Sequence, residues 1–282
     1  MKLLSFRHSG KDTYGVVSGD GVIDLGKRLG AQFPDLKTLI TKGGLAEAKK
    51  AATGAADAPL SSIEFLPVIP NPGKVICVGL NYKAHREETG RAPTDNPALF
   101  IRWADSQTGH KQPLVKPKAS NSLDYEGELA VIIGKTARHV KESDAFGIVA
   151  GYSCYNDGSV RDWQNHTSQW GPGKNFPRTG GFGPWMVTAD EIPDVNQMTL
   201  TTRLNGQVVQ QTGIDLMLFP IAVVIAYITT FTELHPGDVI STGTPGGVGF
   251  KRNPPLFMKA GDKVEVDISK IGILENTITA ES

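Results

Sequence analysis

Two glutamates placed two positions apart, Glu126 and Glu128, have the clearest potential for chemistry in this chain. They precede an apolar run, residues 129–133, that predicts a buried strand ending at Gly134. Because side chains alternate across a strand, both carboxylates point the same way at the mouth of that strand. Two close anions there are costly unless one is protonated or a cation lies between them. The competing interpretation is ordinary surface charge on a solvated strand end.

A third carboxylate, Asp157, closes a second apolar stretch at residues 146–155. With Glu126 and Glu128 it would complete a site of oxygen ligands. Such a site suits a hard cation, Mg²⁺ or Mn²⁺, and not zinc, which prefers His and Cys. The alternative is that Asp157 caps a turn together with Gly158, a common role for Asp-Gly.

Polar residues follow this third carboxylate. Arg161 and Gln164 would line one side of a helix, while Asp162 would point elsewhere and stays a further candidate ligand or arginine partner. Lys174 lies in a glycine-flanked loop, residues 171–176, that lacks the Ser or Thr of a phosphate-binding P-loop. The default interpretation of Lys174 is a solvated loop lysine.

An imidazole and a carboxylate are spaced three residues apart in residues 79–88. If Asn81 caps a short helix there, His85 and Glu88 lie on one face of it. A carboxylate beside an imidazole fixes the tautomer and keeps the ring basic enough to take a proton from water. The alternative is a surface helix with ordinary charges.

The composition excludes several classes of protein. Acidic and basic residues balance at 29 each, so no net charge attracts nucleic acid or membranes, and no basic run suggests a nucleic-acid partner. The two cysteines, Cys77 and Cys154, lie in apolar runs and are expected to be small buried residues. Residues 1–10 contain no long apolar run, so we expect no secretory signal, and the most apolar stretch, residues 216–231, is too short for a membrane span. We therefore expect a soluble, cytoplasmic protein.

Strand and turn patterns fill most of the chain, with a few helices between them. Gly-Asp and Asn-Gly turns at residues 19–20 and 205–206 predict two hairpins, and Pro220 predicts the start of a core helix. Small, polar residues at 51–59 and prolines at 67, 70 and 72 indicate a domain boundary. We therefore expect a small N-terminal domain, residues 1–70, and a larger domain, residues 71–282.

These motifs together resemble the fumarylacetoacetate hydrolase superfamily over about residues 72–278. They occur in the family's order: Gly79-Leu80-Asn81-Tyr82 with His85 and Glu88; Asp124-Tyr125-Glu126 with Glu128-Leu129-Ala130-Val131; Asn156-Asp157 with Arg161 and Gln164; Gly173-Lys174; Gly183-Pro184; and Gly243-Thr244-Pro245-Gly246-Gly247-Val248-Gly249. Two positions depart from the common pattern. Arg102 stands where many members have lysine, and Gly181-Phe182 replaces Pro-Leu.

The resemblance implies an α+β, mainly β fold: a mixed β-roll catalytic domain with a small N-terminal α/β domain, assembled as a homodimer. It also implies roles for nine residues, with Mg²⁺ or Mn²⁺ on Glu126, Glu128 and Asp157; water activation by His85 and Glu88 on a mobile lid; and substrate held or polarised by Lys174, Arg161, Gln164 and Thr244.

The function expected from this resemblance is hydrolysis of a C–C bond in a β-diketo acid, such as an acylpyruvate or fumarylpyruvate, in aromatic or sugar-acid catabolism. The alternatives are decarboxylation of an oxaloacetate-like keto acid, isomerisation of a hydroxymuconate-type compound, and a non-catalytic member that only binds a keto acid. Specificity is expected from residues 86–96 and from Trp163, Trp170 and Phe176, for which core packing is the competing interpretation.

Overall fold

Three β-sheets carry most of the chain in the computed structural model, which describes residues 1–282. The strands are β1 (Lys2–His8), β2 (Lys11–Ser18), β3 (Gly21–Asp24), β4 (Ala58–Pro59), β5 (Glu64–Phe65), β6 (Val75–Gly79), β7 (Ala98–Arg102), β8 (Gln107–Thr108), β9 (Leu114–Lys116), β10 (Leu123–Asp124), β11 (Gly127–Ile133), β12 (Val149–Asn156), β13 (Ser159–Val160), β14 (Gly180–Thr188), β15 (Thr199–Leu204), β16 (Gln207–Gly213), β17 (Val239–Ser241), β18 (Lys263–Ile268) and β19 (Gly272–Ala280). The helices are α1 (Leu25–Leu29), α2 (Leu36–Thr41), α3 (Leu45–Ala51), α4 (Lys83–Thr89), α5 (Arg161–Gln164), α6 (Gly171–Lys174) and α7 (Ile221–Phe231). The predicted fold class, α+β and mainly β, is confirmed.

The largest sheet places the candidate carboxylates side by side. Its main path runs β4-β3-β2-β1-β14-β12-β11-β17-β6-β7, and β11 lies in its middle. Strand β11 is buried along its whole length, which explains its uninterrupted apolar sequence. It pairs antiparallel with β12 in a register that sets Gly127 opposite Asn156, and Asp157 N then donates to Glu126 O at 2.8 Å. The register therefore brings Glu126 and Asp157 together at one end of the ladder.

A second, five-stranded sheet and one helix cover the large sheet. Its order is β16-β15-β18-β19-β9, and it includes the hairpin predicted at Asn205-Gly206. Leu129 and Val131 of β11 share a hydrophobic core with Val266 of β18. Helix α7 begins directly after Pro220, as predicted, and buries its apolar face in the same core. The carboxylates thus sit at the edge of the largest core cluster, on strands that have little freedom to shift.

The N-terminal residues build the other end of the large sheet. Strands β1 to β5 and helices α1 to α3 all lie before residue 70, and the predicted hairpin between β2 and β3 is present. Strand β1 pairs antiparallel with β14, with Lys2 opposite Val187, so the sheet is continuous across the predicted boundary. The division into residues 1–70 and 71–282 stays a prediction.

Asn81 does not cap a helix, contrary to the sequence-based expectation. Helix α4 begins at Lys83 without a side-chain cap, and the buried Asn81 amide instead serves backbone groups of other segments. It donates to Phe219 O at 3.1 Å and to Thr242 O at 2.8 Å, and it accepts from Phe219 N at 2.8 Å. Buried backbone N–H and C=O groups outside helices and strands need hydrogen-bond partners. The Asn81 side-chain amide supplies them to segments far away in the sequence.

Two smaller expectations concern cysteines and membranes. Cys77 and Cys154 are both buried and unpaired, as expected. None of the helices has the length and hydrophobicity that crossing a membrane requires.

His110 gives the fold an acid-sensitive point. It is buried, its ring packs edge-on against Phe65 with centroids 4.7 Å apart, and its Nδ1 accepts from Glu275 N at 3.1 Å. Burial, and to a lesser degree Lys111, lowers the pKa of His110 to about 4. Between pH 4 and the ordinary value near 6.5 the unfolded chain therefore binds a proton that the folded chain does not.

We expect His110 to cost about 3 kcal/mol of stability as the pH falls from about 6.5 to about 4. The His110→Asn variant, which keeps an acceptor for Glu275 N, should lose stability less steeply over this window. Denaturant unfolding at a series of pH values measures the slope. His139→Asn, at an exposed histidine, is the matched control and should follow the wild type. Parallel curves for all three proteins would contradict the assignment.

Candidate active site and metal centre

Three buried carboxylates converge at the ends of β11 and β12. Glu126 immediately precedes β11, Glu128 is its second residue, and Asp157 follows β12. One ligand oxygen from each lies within 4.8 Å of the others. The structure thus brings together the three residues that the sequence singled out as metal ligands.

Glu128 is held by the strand beside it. Ser241 Oγ donates to Glu128 Oε2 at 2.6 Å, and Gly243 N donates to the same oxygen at 2.8 Å. Both bonds fall on Oε2, which leaves Oε1 as a ligand atom. Burial raises the pKa of Glu128 well above its usual range, and the neighbouring Asp157 and Glu126 raise it further. The protein's own cations therefore do not fully compensate this carboxylate.

Lys174 lies between two of the carboxylates. Its Nζ donates to Glu126 Oε2 and Asp157 Oδ2, both at 2.6 Å, and to Ser159 Oγ at 2.7 Å. Burial alone would lower the pKa of Lys174, but Asp157 and Glu126 raise it, so the ammonium stays charged. All three of its donors are directed at side chains of the site, so Lys174 acts here as a fixed positive charge.

Arg161 links the carboxylates to a further buried acid that the sequence reasoning gave no role. Its Nε donates to Asp124 Oδ2 at 2.8 Å, its Nη1 donates to Gln164 Oε1 at 2.9 Å, and its Nη2 lies 2.7 Å from Glu126 Oε1. Burial opposes ionisation of Glu126, but Arg161 and Lys174 outweigh it and lower the pKa of Glu126. The signal for Asp124 was its place in the same Asp-Tyr-Glu motif.

Arg102 holds Asp157 in place by hydrogen bonding, a role that the sequence did not reveal. The side chain is fully buried; its Nη1 donates to Asp157 Oδ1 at 2.5 Å and to Gly158 O at 3.0 Å, while Nη2 donates to Thr179 Oγ1 at 2.9 Å. The only signal in the sequence was that arginine stands at this position where many family members have lysine. The planar guanidinium explains the arginine, since a lysine ammonium presents its donors from a single nitrogen.

The predicted dyad forms on α4. His85 Nδ1 lies 2.8 Å from Glu88 Oε1, and Glu88 Oε2 accepts from Gly247 N at 2.9 Å. A carboxylate at Nδ1 favours the tautomer that leaves Nε2 free to act as a base. Gly247 has φ +102°, and a Cβ there would come 2.3 Å from Val209 O, so only glycine fits this contact with the dyad.

These groups face one cavity of about 230 Å³. Eight of the nine predicted site residues line it, and the ninth, Glu88, reaches it through His85; the eight are His85, Glu126, Glu128, Asp157, Arg161, Gln164, Lys174 and Thr244.

The remaining candidates divide between the cavity and the protein interior. Of the three aromatic candidates Trp170 lines the cavity, whereas Trp163 and Phe176 pack edge-on against each other with ring centroids 5.1 Å apart. For that pair the packing interpretation describes the structure. Asp162 lies outside the lining and accepts from Ser120 Oγ at 2.7 Å, so it is not brought to the carboxylates.

The charges of the site fit a divalent cation. Five carboxylates belong to it: Asp124, Glu126, Glu128, Asp157 and Glu88. Three permanent cations face them: Arg102, Arg161 and Lys174. Burial and the neighbouring carboxylates raise the pKa of Glu128, and a bound Mg²⁺ or Mn²⁺ would supply the positive charge that favours its ionised form. Both ions prefer oxygen ligands, and the three clustered residues supply only oxygen.

Comparison with known proteins agrees with this geometry. Residues 74–279 match the model of the fumarylacetoacetate (FAA) hydrolase C-terminal family. The chain belongs to the fumarylacetoacetate hydrolase family. It is 36% identical over 286 residues to the mitochondrial oxaloacetate tautomerase Fahd2a of Rattus norvegicus, covering 99% of this chain and 91% of that protein.

Solved structures of the same family match the whole chain. The fumarylacetoacetate hydrolase of Exiguobacterium antarcticum is 32% identical with a TM-score of 0.83, and all of both chains is covered. The maleylpyruvate hydrolase of Sphingobium sp. SYK-6, solved with manganese(II) and pyruvate, is 29% identical with a TM-score of 0.84 and the same coverage. The family's fold is therefore shared from end to end.

We expect Mg²⁺ or Mn²⁺ to stabilise the protein, by about 3 kcal/mol at one hundred times the Kd. Thermal unfolding with added ion, and again after chelation, measures the shift in Tm. Glu128→Gln and Asp157→Asn should lose most of that shift. Without the ion, Glu128→Gln should melt no lower than the wild type, because burial and the neighbouring carboxylates already disfavour the ionised form of Glu128. Asp162→Asn is the control and should keep the full shift; a wild type that does not respond to either ion would contradict the site.

Arg102→Met should destabilise the fold by about 3 kcal/mol or more, because it leaves buried acceptors of Asp157, Gly158 and Thr179 without their donor. Arg102→Lys keeps the charge beside Asp157 and should lose less. Denaturant unfolding in chelator measures both variants against the wild type. Equal losses for the two substitutions would show that charge has no part in the effect.

Proposed function

We propose that this protein interconverts the keto and enol forms of a small 2-keto acid of the oxaloacetate type. The observation that carries the proposal is the His85–Glu88 pair, 2.8 Å apart, facing the same cavity as the three clustered carboxylates. Two relatives support the substrate class: the rat protein is named an oxaloacetate tautomerase, and the Sphingobium structure holds pyruvate, itself a 2-keto acid.

Glu126, Glu128 and Asp157 would hold Mg²⁺ or Mn²⁺. A divalent cation bound there would polarise the keto oxygen and acidify the neighbouring carbon. Arg161 would bind the substrate carboxylate, since the hydrogens of its Nη2 are not aligned on any acceptor although Glu126 is close. Gln164, which fixes the guanidinium, and Thr244 line the same wall and would orient the substrate.

His85 would move the proton. With Nδ1 occupied by Glu88, the free Nε2 takes a proton from the carbon next to the keto group and returns it in the reverse direction. Glu88 keeps the ring oriented and stabilises its charged form. Lys174 contributes a nearby positive charge that favours the developing oxyanion and needs to move no proton, because its three donors are already engaged.

Hydrolysis of a C–C bond in a β-diketo acid is the second candidate, because the same base could activate water. It is favoured by the likeness to the maleylpyruvate hydrolase. Decarboxylation, which breaks a C–C bond and releases CO₂, and hydroxymuconate-type isomerisation, which moves a proton, would both pass through an enolate and need no such water. The intact dyad argues against a member that only binds keto acids. The homodimer and the cytoplasmic location stay predictions.

In Mg²⁺ or Mn²⁺ we expect wild-type protein to accelerate exchange of the C3 hydrogens of oxaloacetate with deuterium, followed by NMR. His85→Ala should lower this rate by roughly 10²–10⁴-fold, which is the usual contribution of a positioned base. Glu88→Gln should lower it less, because the ring keeps a hydrogen-bond partner but loses the charge. Chelation should abolish the acceleration in all three proteins.

The same samples separate the candidates by product. Pyruvate and a second acid released from acetylpyruvate indicate hydrolysis, and CO₂ released from oxaloacetate indicates decarboxylation. If His85→Ala exchanges C3 hydrogens as fast as the wild type, His85 is not the base and the proposal fails. Lys83→Met, an exposed change on the same helix, is the control for α4.

A further inference from the structure

Two basic side chains at the cavity have no role in the chemistry described above. Arg91 follows the end of α4 at Gly90, and Lys251 lies in the short turn that follows the glycine-rich loop. Both line the cavity, and both are exposed where Arg161 and Lys174 are buried. Neither has a carboxylate of the chain as a partner, so their charges face the cavity and solvent uncompensated.

The Phe250 ring lies beside one buried and one exposed cation of the cavity. The Arg161 guanidinium lies 4.3 Å from the centroid of the Phe250 ring, and Lys251 Nζ lies 5.2 Å from the same centroid. The backbone of this turn is fixed, because Phe250 N donates to Asp124 Oδ2 at 3.0 Å while Arg161 Nε binds that oxygen too. The same aromatic ring therefore lies beside the buried Arg161 and the exposed Lys251.

The cations that line the cavity differ in exposure and pairing. Arg161 and Lys174 are buried and both pair with Glu126, whereas Arg91 and Lys251 are exposed. The acids in the lining, Glu126, Glu128 and Asp157, are all buried. Phe100 and Trp170 belong to the same lining and offer apolar surface to a short carbon chain.

We propose that Arg91 and Lys251 form a second carboxylate subsite, which selects keto acids that carry a distal carboxylate over monocarboxylic ones. The inference rests on the proposed function for the position of the first carboxylate at Arg161. The distal carboxylate neither gains nor loses a proton in the keto–enol interconversion, so the two cations are expected to contribute to binding about equally before and during proton transfer. Their loss is expected in KM more than in kcat.

The decisive experiment compares two stable acids of equal chain length, 2-oxoglutarate and 2-oxopentanoate, which differ in the distal carboxylate. Calorimetric titration in Mg²⁺ gives the Kd of each without any turnover. Wild-type protein should bind 2-oxoglutarate more tightly. Arg91→Met and Lys251→Met should each reduce that preference by roughly threefold to tenfold, and Lys251→Glu should reduce it further. Lys251→Arg should retain it.

Matched controls use exposed lysines on neighbouring segments. Lys83→Met lies on α4 and Lys259→Met lies beyond the Lys251 turn, and neither residue lines the cavity. Both should keep the wild-type preference, and the melting temperature of every variant should confirm that it is folded. Rising ionic strength should weaken 2-oxoglutarate binding more than 2-oxopentanoate binding.

Equal Kd values for the two acids in the wild type, or a preference that survives the Arg91→Met/Lys251→Met double variant, would overturn the subsite. The deuterium-exchange measurement tests the proposed function separately from the subsite. If the wild type prefers 2-oxoglutarate through these residues but exchanges no C3 hydrogens of any keto acid, the subsite stands and the tautomerase proposal fails. If the wild type exchanges C3 hydrogens but does not prefer 2-oxoglutarate over 2-oxopentanoate, the tautomerase proposal stands and the subsite fails.

Discussion

The burial of three mutually repelling carboxylates is the constraint on which the rest of this structure depends. Glu126, Glu128 and Asp157 are nearly inaccessible to solvent, so water cannot compensate their charges. The strand register of β11 and β12 forces them together, and the surrounding side chains must then supply positive charge. Arg102 and Lys174, which also make hydrogen bonds to neutral groups, are locked in place by this requirement and cannot serve as mobile donors.

Features that depend on local sequence patterns could be predicted from the sequence. Apolar runs predicted the strands, the Asn-Gly and Gly-Asp turns predicted the hairpins, and the two-residue spacing of Glu126 and Glu128 predicted their common direction. The third carboxylate, Asp157, could be added because it closes a buried strand, although only the family resemblance placed that strand beside the first one. Local periodicity gives the faces of a strand but not its neighbours.

Long-range partners account for what the sequence did not reveal. Arg102 meets Asp157 across 55 positions, and Asp124 meets Gly249 across 125. The prediction that Asn81 caps a helix was wrong for the same reason. Its spacing fits a cap, but its amide binds groups 138 and 161 positions away. A buried polar side chain takes whichever partner the fold brings within reach, so propensity cannot choose among partners.

The glycine-rich loop, residues 243–249, couples the two halves of the site. Three of its N–H groups each bind a different carboxylate, since Gly243 N binds Glu128, Gly247 N binds Glu88 and Gly249 N binds Asp124. One backbone segment therefore sets the distance between the metal ligands, the base and the arginine that would hold the substrate. His85 and Glu88 both lie on α4 and bond to each other within that helix. The bond from Gly247 N to Glu88 is therefore not needed to form the pair; it fixes the position of the pair relative to the metal ligands that the same loop contacts.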